Sequence, residues 1–484
     1  MHNGKAGSKC SPALVWARIR EWQRVIREKY VENPRMKWAR RGIWAVFIAW
    51  AAFIAWRSIP YYTYIGEGKH AYQLGHYAEA EQKFKAAMKE AEAFGEKDPR
   101  FANSLNNLAE LYRTEARYAE AEPIYQRLVK IADSLRNNPG ALRFTPNYLM
   151  ALPMSLNNLA ALYRDQGRYA EAEPLYQRAL ELWDREVKRP DDPNIGALLS
   201  GLAKLYRDQG KYRQAEPLYK EALAIREKAL GKEHPDVAVI LDNLGGLYRD
   251  MGRYKESELY YKNALAMDQK LVGSEHPDTA TDMNNLAGLY RDMQRYDEAE
   301  PLYRQALAIR RRVLSPEHPH VAKSLQGLAE LEAARKHYAQ AESLLDEAMK
   351  IRLKALGSDH PDVASTLDSL AAVYLAQGKY TEAEPVLKRA LAIRQKRLGR
   401  THPDLALTLS KQADLLRAQG KYAESERLFM QAEQALEAAL GPEHPSVAIN
   451  LTAMARLYAA RGDKTRADEL TKRAEAIRSK IKAG

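Results

Sequence analysis

Apolar residues in this chain recur at helical spacing in pairs of short segments, and a turn separates the two segments of each pair. In the clearest pair, residues 156–182, the turn is centred on Gly167, and apolar side chains fall every three or four residues on both sides of it. They are Leu156, Leu159, Ala160 and Tyr163 before the turn, and Ala172, Tyr176 and Ala179 after it. Two such helices cannot bury their apolar stripes alone, so the pattern predicts a unit that stacks on copies of itself.

Copies of this unit fill most of the chain at regular spacing. The position of Tyr163 recurs at intervals of 51, 43 and then six times 42 residues, at Tyr112, Tyr163, Tyr206, Tyr248, Tyr290, Glu332, Tyr374, Leu416 and Tyr458. A tyrosine that follows the turn recurs as well, from Tyr77 to Tyr422, and Lys464 replaces it in the last unit. The sequence therefore predicts about ten repeats, and the first and last are degenerate, as the capping units of a repeat array are.

The motif inside the unit indicates the kind of array. Leu-Ala-x-x-Tyr, followed after the turn by Ala-x-x-x-Tyr-x-x-Ala, resembles the tetratricopeptide signature, and no strand-like alternation favours propeller blades. The 42-residue unit is longer than the ~34 residues of the usual repeat, and the excess lies in a longer second helix and in a loop such as residues 230–238. This unit resembles the long repeats of kinesin light chain and of bacterial proteins built from similar units.

The resemblance covers residues 61–484 and implies an all-α fold. We expect a right-handed superhelical α-solenoid of about ten helix hairpins, in which each repeat contacts only its neighbours. The degenerate caps would comprise residues 61–102 and 446–484.

The positive charge of the chain is concentrated before the repeats. Formal net charge is +12, but residues 1–57 contain twelve Lys and Arg against three Glu and therefore contribute +9. Residues 42–56 then form a run of fifteen residues without a charge. A basic segment next to an apolar run is typical of membrane topology, so we interpret the charge in that way and expect no nucleic-acid partner.

We predict a basic amphipathic segment at 1–41 and a single transmembrane helix at 42–60 that binds the lipid bilayer. The anchoring side chains would be Trp44, Trp50, Trp56 and Arg57, of which the tryptophans form an aromatic belt and the arginine snorkels. Fifteen residues rise only ~22 Å against a hydrocarbon layer of ~30 Å, so the span needs interfacial residues on both sides. The alternatives are a buried core helix and a cleaved secretory signal; the 41-residue charged region before the run disfavours the signal.

The excess of Lys and Arg before the apolar run also predicts an orientation. The amino terminus would stay in the cytoplasm, and the repeats would lie in the periplasm at a bacterial inner membrane. Repeats that face the cytoplasm are the alternative. Cys10 is the only cysteine, so we expect no internal disulfide.

A histidine followed by a proline recurs in the loop before six successive repeats. The histidines are His234, His276, His318, His360, His402 and His444. The proline opens the next helix, where its missing N–H has no partner to lose, and glycine usually precedes the pair at a left-handed C′ position. One histidine per repeat forms a row along an edge, so we interpret these residues as structural and predict no metal site.

One face of each first helix remains after the stacking residues are assigned. With Leu156 as position 4 of the unit, positions 5, 6, 9, 12 and 13 lie opposite the buried stripe. In the first five full repeats, Asn occupies position 6 four times and Arg occupies position 12 throughout. These residues are Asn107, Asn158, Asn243 and Asn285, and Arg113, Arg164, Arg207, Arg249 and Arg291. Later repeats mostly lose both, so a function of this ladder would belong to the first half of the array.

Two interpretations of the ladder stay open. Asparagine is a poor residue inside a helix, and a row of asparagines could bond to the neighbouring repeat. Alternatively, the amides could pair with the backbone of a bound extended peptide while the arginines attract its acidic side chains. In tetratricopeptide domains the first helices line the concave groove, and in the kinesin light chain and co-chaperone families asparagines matching position 6 contact the peptide. The resemblance therefore implies that these residues bind a partner.

No enzyme motif occurs in the chain: there is no phosphate-binding glycine loop, HExxH, nucleophile elbow or CxxC. We predict a protein without enzyme activity, cofactor or small-molecule substrate. The sequence favours a membrane-anchored scaffold that binds extended, acidic segments of partner proteins in its concave groove to organise or assemble a complex. The alternative is a structural subunit or assembly factor of a membrane complex, which contacts its partners through the transmembrane helix and the outer edges.

Overall fold

The computed structural model describes residues 37–138, 148–399 and 402–483. The predicted basic segment as far as residue 36, with Cys10, lies outside these ranges. Within them the chain forms twenty α-helices and no strand. They are α1 Lys37–Gln73, α2 Tyr77–Glu92, α3 Pro99–Thr114, α4 Tyr118–Asn137, α5 Ala151–Asp165, α6 Tyr169–Leu182, α7 Pro193–Asp208, α8 Tyr212–Leu230, α9 Pro235–Asp250, α10 Tyr254–Leu271, α11 Pro277–Asp292, α12 Tyr296–Val313, α13 Pro319–Ala334, α14 Tyr338–Leu356, α15 Pro361–Ala376, α16 Tyr380–Arg397, α17 Pro403–Ala418, α18 Tyr422–Leu440, α19 Pro445–Ala460 and α20 Lys464–Ala483.

Consecutive helices form hairpins across short turns. Close packing joins α1 with α2 and each pair from α5 with α6 to α19 with α20, and with α3 and α4 as the second hairpin we number these repeats 1 to 10. The all-α solenoid of about ten hairpins that the sequence predicts is confirmed. The chain divides into two compact units, Met1–Leu108 and Ala109–Gly484. The boundary between the units falls inside α3.

The tyrosines and alanines of the repeating motif form the core of the second unit. Leu156 and Ala160 of α5 are fully buried, and so are Tyr176 and Ala179 of α6. From α6 to α18, each second helix packs both on its own first helix and on the first helix of the next repeat, so the apolar stripes are covered from two sides. Burial of this kind contributes roughly 25 cal/mol for each Å² of apolar surface, which makes stacking the main source of stability.

The histidines of the His-Pro loops cap the first helices of repeats 5 to 10. In each loop the ring Nδ1 accepts a hydrogen bond from the backbone N–H two residues later, as His234 does from Asp236 at 3.1 Å. The same contact occurs at His276, His318, His360, His402 and His444. The specific structural role of these histidines is therefore helix capping. Each imidazole accepts a hydrogen bond from one of the backbone N–H groups that have no partner inside the first turn of the helix.

The first helices lie on the inner side of the array in the second unit. Each of them from α5 onward contacts the next first helix directly, from α5 with α7 to α17 with α19, whereas second helices of neighbouring repeats make no comparably close contact among the described residues. An array in which one set of helices is closer together curves toward that set. The first helices therefore line a concave groove, as the resemblance implies.

The predicted transmembrane helix at 42–60 is not supported. None of the helices in the described ranges is long and apolar enough to cross a membrane. The charge-free run has only fifteen residues, and the residues that follow it are used inside the first unit. Ser58 and Tyr61 are buried in the first unit, where Asn103 of α3 donates to the Tyr61 hydroxyl at 2.8 Å, and Arg57 donates to Glu90 of α2 at 2.6 Å, so this arginine has a protein partner.

Buried polar residues lie at a recurrent place between the second helix of one repeat and the first helix of the next. Between repeats 6 and 7, Arg310 donates to the Ser324 hydroxyl at 2.8 Å, and between repeats 7 and 8 Arg352 donates to Thr366 at 2.5 Å. The corresponding place between repeats 5 and 6 holds two carboxyl groups, Asp268 and Asp282, which are 6% and 4% exposed.

The Asp268 and Asp282 carboxyl groups share a hydrogen bond, so one of them must hold a proton. Burial raises the pKa of both groups, and the carboxylates of Asp242 and Asp278 nearby raise the pKa of Asp282 further. The folded state therefore binds protons that the unfolded chain has already lost above its ordinary Asp pKa of ~3.9. Stability contributed by this pair declines as pH rises from about 4 through the raised pKa.

We expect Asp282→Asn to raise the thermal unfolding midpoint at pH 8 and to weaken its pH dependence between pH 5 and 8. The neutral amide keeps a hydrogen-bond donor for Asp268 and removes the need for a bound proton, which gains on the order of 1–3 kcal/mol at pH 8. Thermal melts followed by circular dichroism check this. Asp346→Asn, at an exposed position of α14, is the control; a lower midpoint for Asp282→Asn than for this control at pH 8 would contradict the account.

Candidate functional site

The groove of the second unit is formed by side chains at positions 2, 5, 6, 9, 12 and 13 of the first helices. Position 2 was not among those predicted from the helical pattern. Three of its residues are exposed in the groove: Val239 and Ile449, at 55% and 56%, and Lys323. A helix wheel centred on the apolar stripe assigns position 2 near the edge of that stripe, so the sequence pattern gave no signal for it.

The arginines at position 12 form ion pairs between consecutive repeats. In four of the five cases the partner is the aspartate at position 13 of the next repeat. The N···O distances are 2.8 Å for Arg113–Asp165, 3.5 Å for Arg164–Asp208, 2.6 Å for Arg207–Asp250 and 2.6 Å for Arg249–Asp292. In repeat 7 position 13 is an alanine, and Arg291 pairs with Glu330 at position 9. The arginine ladder therefore contributes to stacking.

Glycines at position 9 make room for two of these arginines. A Cβ atom on Gly246 would lie 2.6 Å from Nη1 of Arg207, and one on Gly288 would lie 3.1 Å from Nη1 of Arg249. Each guanidinium thus lies flat on the helix of the next repeat before it reaches the aspartate. Two repeats are thus joined by three residues. The arginine of one repeat packs over the glycine of the next and pairs with its aspartate.

The electrostatics of the ladder agree with its pairing. Burial alone would lower the pKa of Arg207, but the Asp250 carboxylate outweighs burial and the pKa is raised. Burial would likewise raise the pKa of Asp165, whereas Arg164 and Arg113 outweigh it and hold this pKa below its usual value. The charges of these groups therefore compensate one another inside the groove.

The four asparagines at position 6 are half-buried and have different surroundings. Asn285 donates to the Asp242 carboxylate of the preceding repeat at 2.8 Å, and Asn158 accepts from the Asn157 amide at 3.2 Å. Asn107, in the first unit, donates to the Asn103 carbonyl oxygen at 2.7 Å. Asn243 lies half-buried on α9. A bond to the neighbouring repeat, one of the two interpretations from the sequence, thus occurs at Asn285, while peptide binding by these residues stays a prediction.

Two lysines supply positive charge that the ladder does not compensate. Lys204 at position 9 of repeat 4 and Lys323 at position 2 of repeat 7 are both exposed, and neither forms an ion pair in the part of the chain that the structure describes. The neighbouring Arg164 charge, followed by burial, lowers the pKa of Lys204. The Lys323 side chain reaches solvent, but desolvation by the surrounding protein lowers its pKa, and the Arg310 charge lowers it further. Nearby carboxylates, such as Asp208 at Lys204 and Asp242 at Lys323, raise the two pKa values less than these effects lower them, so an added carboxylate would stabilise the charged amines.

The groove widens into a cavity of about 610 Å³ in repeats 7 to 10. Its lining combines the exposed apolar Ile449 with polar and charged groups that include Ser365, Lys411 and Arg456. Lys411 lies 3.5 Å from the Asp368 carboxylate. The second half of the array, which lacks the asparagine and arginine ladder, therefore still offers a mixed apolar and polar surface of the kind that takes side chains of a bound segment.

Comparison with known proteins agrees with this geometry. The sequence profile described as tetratricopeptide repeat matches residues 62–134, 152–228, 197–270, 236–312, 278–354, 326–396 and 404–480. The comparison with curated proteins gives no match.

Several solved structures are similar to this chain. BtubC (BKLC) from P. vanneervenii is 28% identical, with 48% of this chain and 92% of that chain covered and a TM-score of 0.40. A putative kinesin light chain with nearly identical TPR-like repeats from Podosopora anserina is 31% identical over 43% of this chain and 99% of its own, with a TM-score of 0.35. A Rap protein complexed with competence and sporulation factor is 15% identical, with 78% of this chain and 98% of that chain covered. Its TM-score of 0.53 shows the likeness of fold.

A double-mutant cycle on Arg249 and Asp292 tests the stacking role of the ladder. We expect a coupling free energy of about 1 kcal/mol for the pair, because both groups are largely enclosed. The matched control is Lys228 with Asp191, which are 2.8 Å apart and exposed on the surface, and which should couple by only a few tenths of a kcal/mol. Urea unfolding of the single and double alanine variants measures both couplings. Equal couplings in the two pairs would show that the ladder does not stabilise the stack.

Proposed function

Because the chain belongs to the tetratricopeptide repeat family, we propose that it is a non-enzymatic scaffold whose groove binds an extended, acidic segment of a partner protein. Repeat arrays expose long concave surfaces, and these surfaces suit extended ligands better than compact ones. Binding of one segment in the groove would hold the partner in place and so organise or assemble a complex.

The observation that carries the acidic preference is the pair of uncompensated lysines. Lys204 and Lys323 are exposed in the groove, and both lie close enough to Asp242 to lower its pKa, against the larger effect of burial. Asp242 accepts from Asn285 and forms no ion pair with either lysine in the described part of the chain, so a carboxylate of the ligand would gain a charge-assisted hydrogen bond with each amine that it reaches. The arginines at position 12 support this preference less directly, because each of them already pairs with a carboxylate of the chain.

The asparagines at position 6 would provide the second part of recognition. Side-chain amides can donate to and accept from a peptide backbone, and Asn158 and Asn243 are half-buried on the first helices of repeats 3 and 5. Lys204 lies between these asparagines in repeat 4, and Lys323 lies further along the array in repeat 7. We therefore propose repeats 3 to 7 as the main binding region and the cavity of repeats 7 to 10 as its continuation.

A second candidate function rests on four exposed apolar side chains of α1, on both sides of Arg57. Val46, Phe53, Trp56 and Ile59 are between 55% and 71% exposed in the first unit. Large exposed apolar side chains that lie close together on one helix mark sites of interaction with proteins or membranes. In this alternative the chain is a structural subunit or assembly factor that contacts a membrane complex, or the surface of the bilayer, through α1. Crossing of the bilayer is not part of this proposal.

Partner recovery from native membranes and lysates, measured by quantitative mass spectrometry, distinguishes the two functions. We expect Lys204→Ala with Lys323→Ala to lower recovery of an acidic partner by roughly tenfold or more, since each charge-assisted hydrogen bond contributes about 1.5–3 kcal/mol. Lys228→Ala, an exposed lysine on α8, is the control and should leave recovery unchanged. Purified partner segments, with acidic residues intact or replaced by Gln, then give the affinities directly.

Two results would contradict the groove proposal. One is a partner recovered equally well by the Lys204 and Lys323 variants and by the control. The other is a loss of recovery only when Val46, Phe53 and Trp56 are replaced by Ser, which would favour contact through α1.

A further inference from the structure

The loops before repeats 8, 9 and 10 contact the turns inside repeats 2, 3 and 4. His360 lies 246 residues from Thr114 in the chain, yet its ring Nε2 is 3.0 Å from the Thr114 carbonyl oxygen. The His402 ring bonds to the backbone of Asp165 in the same way, and the His444 ring bonds to that of Asp208. Each contact joins a repeat to the sixth repeat after it, so the array of the second unit completes one superhelical turn in about six repeats and meets itself along a seam.

The chemistry of each seam contact requires a neutral imidazole of one tautomer. Nδ1 accepts the N–H of the helix cap, so the ring proton must be on Nε2, where it is donated to the carbonyl oxygen across the seam. Burial lowers the pKa of His360 and His402, and lowers that of His444 to about 4. The rings therefore stay neutral, with both nitrogens engaged, near physiological pH.

Two glycines provide the surface on which the rings lie. A Cβ atom on Gly167 would be 2.8 Å from Cδ2 of His402, and one on Gly210 would be 2.6 Å from Cδ2 of His444. Both glycines have positive φ, at 71° and 68°. Gly252 and Gly378 have nearly the same φ in the corresponding turns of repeats 5 and 8, but nothing lies within 4 Å of a Cβ there. The close approach is therefore specific to the turns that meet a histidine.

We propose that the three histidine contacts are a latch that closes the superhelical turn and controls access of a partner to the groove from the side. With the seam closed, a long segment can reach the groove only along the superhelix axis. With the seam open, the segment can be laid in from the side. The role in access rests on the proposed binding of a partner in the groove, but not on the charge or identity of that partner, and the opening of the seam is measured without a partner.

The seam has the properties of a contact that can open. It is not a packed core, because a cavity of about 630 Å³ lies in it between residues 209–214 and 440–444. The Lys480 side chain and Ile481 complete the lining of this cavity. Besides the three histidine contacts, Ile481 of α20 packs on the apolar cluster that includes Tyr212 of α8. Stacked repeats contact only their neighbours elsewhere, so these few contacts across the seam can break without disturbing any repeat. Small rotations at each repeat interface add up over six repeats to a wide opening.

Substitutions can remove the latch and leave the helix caps intact. Asn is a good N-cap residue whose side-chain oxygen can accept the same N–H, but it is too short to reach the carbonyl oxygen across the seam. The test variant is therefore His360→Asn, His402→Asn and His444→Asn together, and His234→Asn in repeat 5 is its control. A second variant, Gly167→Ala with Gly210→Ala, forces the seam apart sterically. Its matched control is Gly252→Ala with Gly378→Ala, which carries the same backbone strain away from any histidine.

Distances across the seam report the latch in the full chain. Spin labels on Gln214→Cys and Pro442→Cys, two exposed residues that line the seam cavity, would be introduced in a Cys10→Ser background. Pulsed electron paramagnetic resonance should give one short, narrow distance in the otherwise unchanged chain. Both latch variants should shift population to a longer, broader distance, by roughly fivefold for each lost hydrogen bond, while both controls keep the short one.

The outcomes decide the proposal. Loss of the short distance in the histidine and glycine variants, with helical circular dichroism unchanged, supports a latch. An unchanged short distance in both variants overturns it, because the seam would then be held by something other than these contacts. If one latch variant fails to fold, the other still gives the result. A shift of equal size in the controls would assign the effect to cap loss or backbone strain and would also overturn the latch.

Discussion

Every other feature of this chain depends on the stacking of one hairpin on the next. A hairpin of two short helices leaves its apolar stripes exposed, so Tyr176 and Ala179 are buried only because the neighbouring repeat covers them. The polar contacts between repeats also stabilise this stacking. An arginine lies across a glycine of the next repeat to reach an aspartate, and a histidine caps the helix that the next hairpin needs.

This constraint changes how the polar residues of the groove are understood. The arginines that look like a recognition ladder along the sequence are largely neutralised by carboxylates 39 to 52 residues further on, as Arg207 is by Asp250. We therefore expect a partner to be recognised by charged side chains that form no ion pair in the described part of the chain, namely Lys204 and Lys323. The charged residues of the groove therefore fall into two groups: arginines that form ion pairs with the next repeat, and lysines that form no ion pair in the described part of the chain.

The sequence was sufficient for the period, the number of hairpins and the stacking residues, because each repeat presents the same apolar spacing and its contacts are local. It was not sufficient for the pairing of Arg249 with Asp292 or for the role of Gly288, because these depend on the angle between adjacent first helices. The contact between His360 and Thr114 gave no signal at all, since it follows from the accumulated rotation of six repeats. The predicted span at 42–60 is not supported by the structure. The sequence could not decide this, because a short apolar run is compatible both with a membrane helix and with the exposed start of a longer helix.

The most direct test of the account is the location of the partner, measured by site-specific photocross-linking from the groove and from the outer surface. A photoreactive amino acid at position 243 would lie in the groove, and one at position 430 would replace Met430, which is exposed on the second helix α18. Cross-linked peptides identified by mass spectrometry give the partner segment. The account predicts an acidic, extended segment attached at position 243 and none at position 430. The same partner attached at position 430, with nothing at position 243, would contradict it.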